Sequence, residues 1–155
     1  MSAEPGAAHR VLTVRAGARM LALPIESVVE TMRPMPVEPL AGAPSFVRGL
    51  AVIRGAATPV VDVAELLGTR AETPGRFVTL RLGPRQIALA VEAVLGLSAL
   101  EPADLAALPP LLDDATRGAV HSVGLLDSQL VLVLRAARVV PDEVWRAVDA
   151  VSATR

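Results

Sequence analysis

One unit stated twice constrains this 155-residue chain more than any other feature. RVLTVRAGARMLALPIESV, Arg10 to Val28, returns as RFVTLRLGPRQIALAVEAV, Arg76 to Val94, at an offset of 66 residues (Arg10 to Arg76). The matches fall in register: Arg10 with Arg76, Thr13 with Thr79, Arg15 with Arg81, Gly17 with Gly83, Glu26 with Glu92 and Val28 with Val94. Each copy reads as two short apolar strands about a glycine-centred turn, which is a hairpin pattern. A second hairpin follows in FVRGLAVIRGAATPVVDVAELLG, Phe46 to Gly68, where LAVI and PVVDV flank RGAAT. Its counterpart is TRGAVHSVGLLDSQLVLVLRAARVV, Thr116 to Val140. Here Arg48-Gly49 is set on Arg117-Gly118, and PVVDVAELL on LVLRAARVV after a four-residue insertion. A five-strand unit of about 60 residues buries too little surface to be secure alone. Two fused copies can share a core, so the repeat predicts a mainly β chain of two small five-stranded barrels, with a groove between them open to a partner.

Prolines mark the joints. TMRPMPVEPLAGAP, Thr31 to Pro44, carries Pro34, Pro36, Pro39 and Pro44, and their fixed φ and missing N–H groups predict an extended connector. AELL closed by Gly68 reads as one helical turn with a glycine stop. EPADLAALPP, Glu101 to Pro110, is a short helix or loop between the halves. PDEVWRAVDAVSATR begins with Pro141 and acids and then sets Val144, Val148 and Val151 on one face, an amphipathic helix. The expected boundaries are a disordered tail at 1–8, one domain of two interleaved barrel lobes at 9–140, and a C-terminal helix at 141–155.

Composition removes several functions. Aromatic residues are 2% of the chain and the net charge is −1, so neither a basic footprint nor stacking rings exist for nucleic acid. With no cysteine there is no disulfide, thiol catalysis or Cys-ligated zinc. The most apolar windows, Val91 to Leu100 and Leu130 to Val140, are broken by Glu92, Arg135 and Arg138, short of the ~18 apolar residues of a membrane span. MSAEPGAAHR has no signal-peptide pattern, and no phosphate-binding loop occurs; no cofactor is expected.

Catalytic groups are sparse. His9 sits at the frayed start of the chain, and His121 adjoins Ser122 on a strand, where neighbours point to opposite faces and make a poor dyad. Asp113-Asp114 without further ligands reads as a solvated turn, so no metal site is expected. Arg54 ends the apolar run LAVIRG. Either its stem covers the barrel while its head stays wet, or its guanidinium is held by a carboxylate such as Asp62, with donors left for a partner. Arg33, Arg48 and Arg70 read as surface charges.

The segment Phe46 to Gly68 resembles the signature of the CheW-like domain, the adaptor of bacterial chemosensory systems. The matching residues are Phe46, Arg48, Gly49, Arg54, Gly55, Pro59, Val60, Val61, Asp62, Leu66 and Leu67. With the preceding hairpin, the proline connector and VEAV, the resemblance runs from about His9 to Val140. It implies two SH3-like barrels and a non-catalytic, cytoplasmic protein recruited to receptor arrays at the inner face of the membrane. Its partners would be the cytoplasmic hairpin tip of a methyl-accepting chemoreceptor and the regulatory domain of a CheA-type histidine kinase. Carried onto this chain, the kinase contact falls on Val28, Glu30 and Thr31. The receptor groove falls on Phe46, Val52, Arg54, Val91 and Val94, and the structural signature on Gly49, Gly55, Pro59 and Asp62. Arg135 departs from the family, which usually has an acid there, as do His121 and Ser122 in the strand before it. The competing reading is a small-molecule-binding module using the groove between the lobes through Arg54 and Asp62. A hydrolase built on His121 with Asp113 or Asp127 ranks last.

Overall fold

The computed structural model describes residues 8–69, 73–116 and 118–153; residues 1–7 of the tail expected at 1–8, Arg70, Arg117 and the Asp114 side chain lie outside that description. The first copy of the repeat forms strands β1 (His9–Ala16) and β2 (Arg19–Pro24), and the second forms β6 (Arg76–Leu82) and β7 (Arg85–Val91). Ala16 faces Arg19 and Leu82 faces Arg85 across two-residue turns. Gly17 and Gly83 open those turns at φ +60° and +61°, which glycine adopts without steric cost.

The first hairpin leads into β3 (Val28–Met32), β4 (Val47–Ile53) and β5 (Ala56–Asp62). The second leads into β8 (Ala93–Leu100), β9 (Leu105–Ala107), β10 (Val120–Leu126) and β11 (Gln129–Leu134). Among the described residues the α-helices are α1 (Val63–Leu66), α2 (Pro110–Ala115) and α3 (Asp142–Ala153).

The strands do not sort by repeat. One sheet has the order β3-β6-β7-β5-β4 and the other β8-β1-β2-β11-β10-β9, so each barrel takes its hairpin from the opposite half. The hairpins' own residues explain the exchange. Ile87, Leu89 and Val91 of β7 enter a central core shared by both sheets, while Ala88 and Ala90 point into the five-stranded barrel. Leu21 and Leu23 of β2 likewise face the central core, and Ala22 faces the interior of the six-stranded barrel. A hairpin apolar on both faces is stable only between two layers. The inward alanines share those interiors with larger side chains, Phe77, Ile53 and Val60 in one barrel and Leu100, Val11 and Val131 in the other.

The repeat also corrects one alignment. β4 and β10 correspond at an offset of 73 (Val47 to Val120), each with a bulge after its first residue. Arg48-Gly49 therefore matches His121-Ser122, not Arg117-Gly118, because the bulge rather than the Arg-Gly pair sets the register. Asp62 then matches Arg135 at the end of the following strand. The paired threonines make equivalent bonds in the two halves. The Thr13 hydroxyl donates to the Gly96 carbonyl at 3.0 Å and the Thr79 hydroxyl to the Glu30 carbonyl at 3.4 Å.

The proline connector crosses the mouth of the five-stranded barrel. Met32, Met35 and Val37 pack on a cluster that includes Ile53, Phe77 and Ala90. Glu38 and Leu50 exchange backbone hydrogen bonds of 2.8 and 2.9 Å. On α3, Val144, Trp145 and Val148 are buried, whereas Val151, expected on that face, is exposed. Trp145 displaces it because an indole in the central core, capped by the Arg85 guanidinium 4.6 Å from its centroid, fixes the roll of the helix. None of the described helices is long and apolar enough to cross a membrane.

Candidate functional site

The β4–β5 turn carries the most distinctive surface geometry. Ile53 faces Ala56, leaving Arg54 and Gly55 as its central pair, at φ +53° and +77°. Positive φ at both positions is the type I′ arrangement that matches strand twist, and Gly55 is there for that reason. Arg54, a non-glycine residue in the left-handed region, is thereby swung off the sheet. It meets Glu30 rather than Asp62: Nη2 donates to Glu30 Oε2 at 2.7 Å and Nε to Oε1 at 3.3 Å. The hydrogen bonds to Glu30 and then its charge raise the Arg54 guanidinium above the usual arginine value. Both residues border a depression of about 300 Å³ with Met32, Met35 and Ile53. An apolar floor beside a fixed ion pair is suited to gripping a partner's side chains and backbone.

Asp62 has other work. Its Oδ2 accepts from Arg48 Nη2 at 2.7 Å and Nε at 3.1 Å, and its Oδ1 accepts from the Glu65 amide at 3.1 Å, capping α1. Arg48 is therefore a structural partner and not only a surface charge. A sequence signal for this was present: Asp62 followed three residues later by Glu65 is a helix-start pattern that commits the aspartate to a cap. Glu30 carried no comparable signal, because only the barrel brings β3 beside the β4–β5 turn.

The residues expected to form a receptor groove do not share one surface. Phe46 is 5% exposed and Val91 2%, and both belong to the central core. Their assignment as docking residues is corrected: strand-end positions facing the layer between the barrels are buried by that layer. Val94 is half-buried against the same core, on β8 of the other sheet. Val52, at 65% exposure, and Arg54 remain accessible.

The expected kinase face is divided by a bulge at Val29. Val28 pairs with Leu80 and Thr31 with Val78, whose side chains enter the central core, while Glu30 pairs with Thr79 and Met32 with Phe77 toward the barrel interior. Val28 is half-buried, Thr31 exposed, and Glu30 belongs with Arg54. The extra residue, Val29, is 41% exposed, and its counterpart in the second half, Leu95 at the β8 bulge, is 46% exposed. Neither stood out in the sequence, since bulges carry no residue code.

Of the signature positions, Gly49 has φ +142°, and a Cβ there would strike the Glu38 carbonyl. Pro59 is tolerated within β5 because parallel pairing with β7 begins only at Val60. Among the described residues, no group of three or more His, Cys, Asp or Glu side chains is placed to hold a metal. His121 Nδ1 lies 3.3 Å from Ser122 Oγ.

A known domain matches most of this chain. The CheW-like domain model aligns with residues 10–144. The chain belongs to the CheW-like domain family. It is 25% identical over 138 residues to the chemotaxis protein CheW of Rhizobium meliloti (strain 1021), covering 87% of this chain and 89% of that one. It is 32% identical over 117 residues to protein FrzA of Myxococcus xanthus, covering 74% and 71%. The crystal structure of a scaffolding protein CheW from Thermoanaerobacter tengcongensis superposes with a TM-score of 0.74 at 17% identity, over 83% of this chain and 90% of that one. The CheW-like fold is thus the fold of this chain.

Proposed function

We propose that this protein is a non-catalytic adaptor of a bacterial chemosensory system, coupling the cytoplasmic tip of a chemoreceptor to the regulatory domain of a CheA-type histidine kinase. The observation that carries the reading is membership of the CheW-like family over residues 10–144. The names of two relatives, a chemotaxis protein and a scaffolding protein, point the same way. On this reading the protein works in the cytoplasm, gathered at receptor arrays on the inner face of the membrane, with no cofactor and no nucleic acid.

The receptor contact centres on Arg54, Glu30 and Val52. A fixed guanidinium there has spare donors for a helix-tip backbone, and Met32 and Met35 supply adaptable apolar area beside it. The kinase contact uses Val28 and Thr31 with Val29 between them. Small-molecule binding in the groove is less well supported, because Arg54 and Asp62 do not converge: each is satisfied by a different partner.

The test is co-sedimentation of the full chain with a receptor-tip hairpin, with and without a kinase regulatory domain. The adaptor reading expects binding to each partner and retention of kinase with receptor only when this chain is present. Failure to bind either partner ends it.

A further inference from the structure

The internal repeat gives the molecule two related clefts between its barrels, and they differ. The first is closed, with about 10 Å³ of free space beside Ala16, Asp62, Val91 and Glu92, and Arg48 pairs with Asp62 at its edge. The second, at the corresponding place in the other half, is open at about 390 Å³ and is lined by Pro24, Ser27, Leu82, His121, Leu134 and Arg135, among others. At the offset of 73 (Val47 to Val120), His121 stands where Arg48 stands and Arg135 where Asp62 stands. The exchange removes the carboxylate and puts a guanidinium in its place, beside an imidazole.

We propose that this second cleft is the docking site for an acidic segment of a partner protein, a Glu or Asp flanked by aliphatic side chains, with Arg135 and His121 receiving the carboxylate. Charge complementarity carries the argument. Among the described residues, no carboxylate lies within ion-pair distance of the Arg135 guanidinium. Glu26, the counterpart of Glu92, is exposed and makes no such pair. The backbone beneath is held firmly, since the Arg135 amide donates to the Ala119 carbonyl at 2.6 Å. An exposed guanidinium without an acid is a fork open to a carboxylate. The apolar walls, Pro24, Leu82 and Leu134, would reward aliphatic flanks that a free short acid lacks. That the acid arrives on a protein rests on the adaptor reading above.

The probe is a blocked peptide, acetyl-Ala-Leu-Glu-Leu-Ala-amide, titrated into isotope-labelled full-length protein, with its Gln analogue and propionate as controls. Saturable amide shifts are expected at Ser27, Leu82 and Ala136, with the Gln analogue at least about tenfold weaker. His121→Arg/Arg135→Asp, which rebuilds the Arg48–Asp62 pair in the second cleft, should abolish the response. If that double variant does not fold, Arg135→Gln must show the same loss. No binding of the Glu peptide, equal binding of the Gln analogue, or binding by propionate as tight as the peptide overturns the proposal. The titration needs neither receptor nor kinase, so its failure and a failure of co-sedimentation are read separately.

Discussion

At the scale of single residues, the side chains expected to act on a surface part into two kinds, and simple substitutions separate them. Arg54 is anchored to Glu30 by two donors in a fixed fork, which lysine cannot reproduce. Arg54→Lys should therefore weaken receptor-tip binding about tenfold. Its melting temperature should stay within about 2 °C of the parent, because an exposed pair adds little to folding. Affinity and thermal melting on one preparation decide it; unchanged affinity makes the pair irrelevant to docking. Phe46 should behave in the opposite way. Cutting a buried phenylalanine to alanine leaves a cavity in the central core, so Phe46→Ala should cost about 3–5 kcal/mol in denaturant unfolding. A stable Phe46→Ala protein that had lost only binding would return Phe46 to a surface.

At the scale of elements, the connector from β3 to β4 is held to the barrel at one close approach. Gly49 allows the Glu38 backbone to lie directly on β4, where Glu38 and Leu50 exchange hydrogen bonds. Gly49→Ala meets both a φ of +142° and the Glu38 carbonyl. The backbone conformation alone should cost about 1–3 kcal/mol, read in thermal unfolding. Hydrogen exchange should quicken first at the Glu38 and Leu50 amides. Slow exchange there in a destabilised variant would locate the damage elsewhere. The prolines of Thr31 to Pro44 predicted an extended segment; the segment holds no helix, bridges β4 at Glu38 and turns at Ala41 and Gly42, and that it lies over Ile53, Phe77 and Ala90 through Met32, Met35 and Val37 follows from contacts far apart in sequence. The C-terminal helix was legible from its periodicity, but its buried face turns on Trp145 and its Arg85 partner, a contact between α3 and β7.

At the scale of the whole molecule, the exchange of hairpins has a direct consequence. Residues 1–72 alone hold β3, β4 and β5 but lack β6 and β7, the two strands that lie between β3 and β5 in their sheet. Their own hairpin, β1–β2, would expose Leu21, Leu23, Leu12 and Val14, all buried in the intact chain. Fragment 1–72 should therefore give no cooperative melt, and mixing it with 73–155 should restore β-sheet circular dichroism with a melting transition. A cooperative melt of 1–72 by itself would mean that each repeat builds its own barrel.

Two β-rich units, their glycine turns, the proline connector and the helix stop at Gly68 all follow from local chemistry. Preferences in φ, missing N–H groups and the period of apolar residues act within a few positions, so these features can be read along the chain. The family signature was legible for the same reason, as a run of neighbouring residues. Which half supplies each barrel's hairpin is settled only in three dimensions, because a strand apolar on both faces must be covered twice and its residues do not say by what. The same holds for the ion pairs. Arg48, Arg54, Glu30 and Asp62 could pair in more than one way, and only the bulge in β3 and the type I′ turn after β4 set Arg54 beside Glu30 and leave Asp62 to Arg48 and the cap of α1.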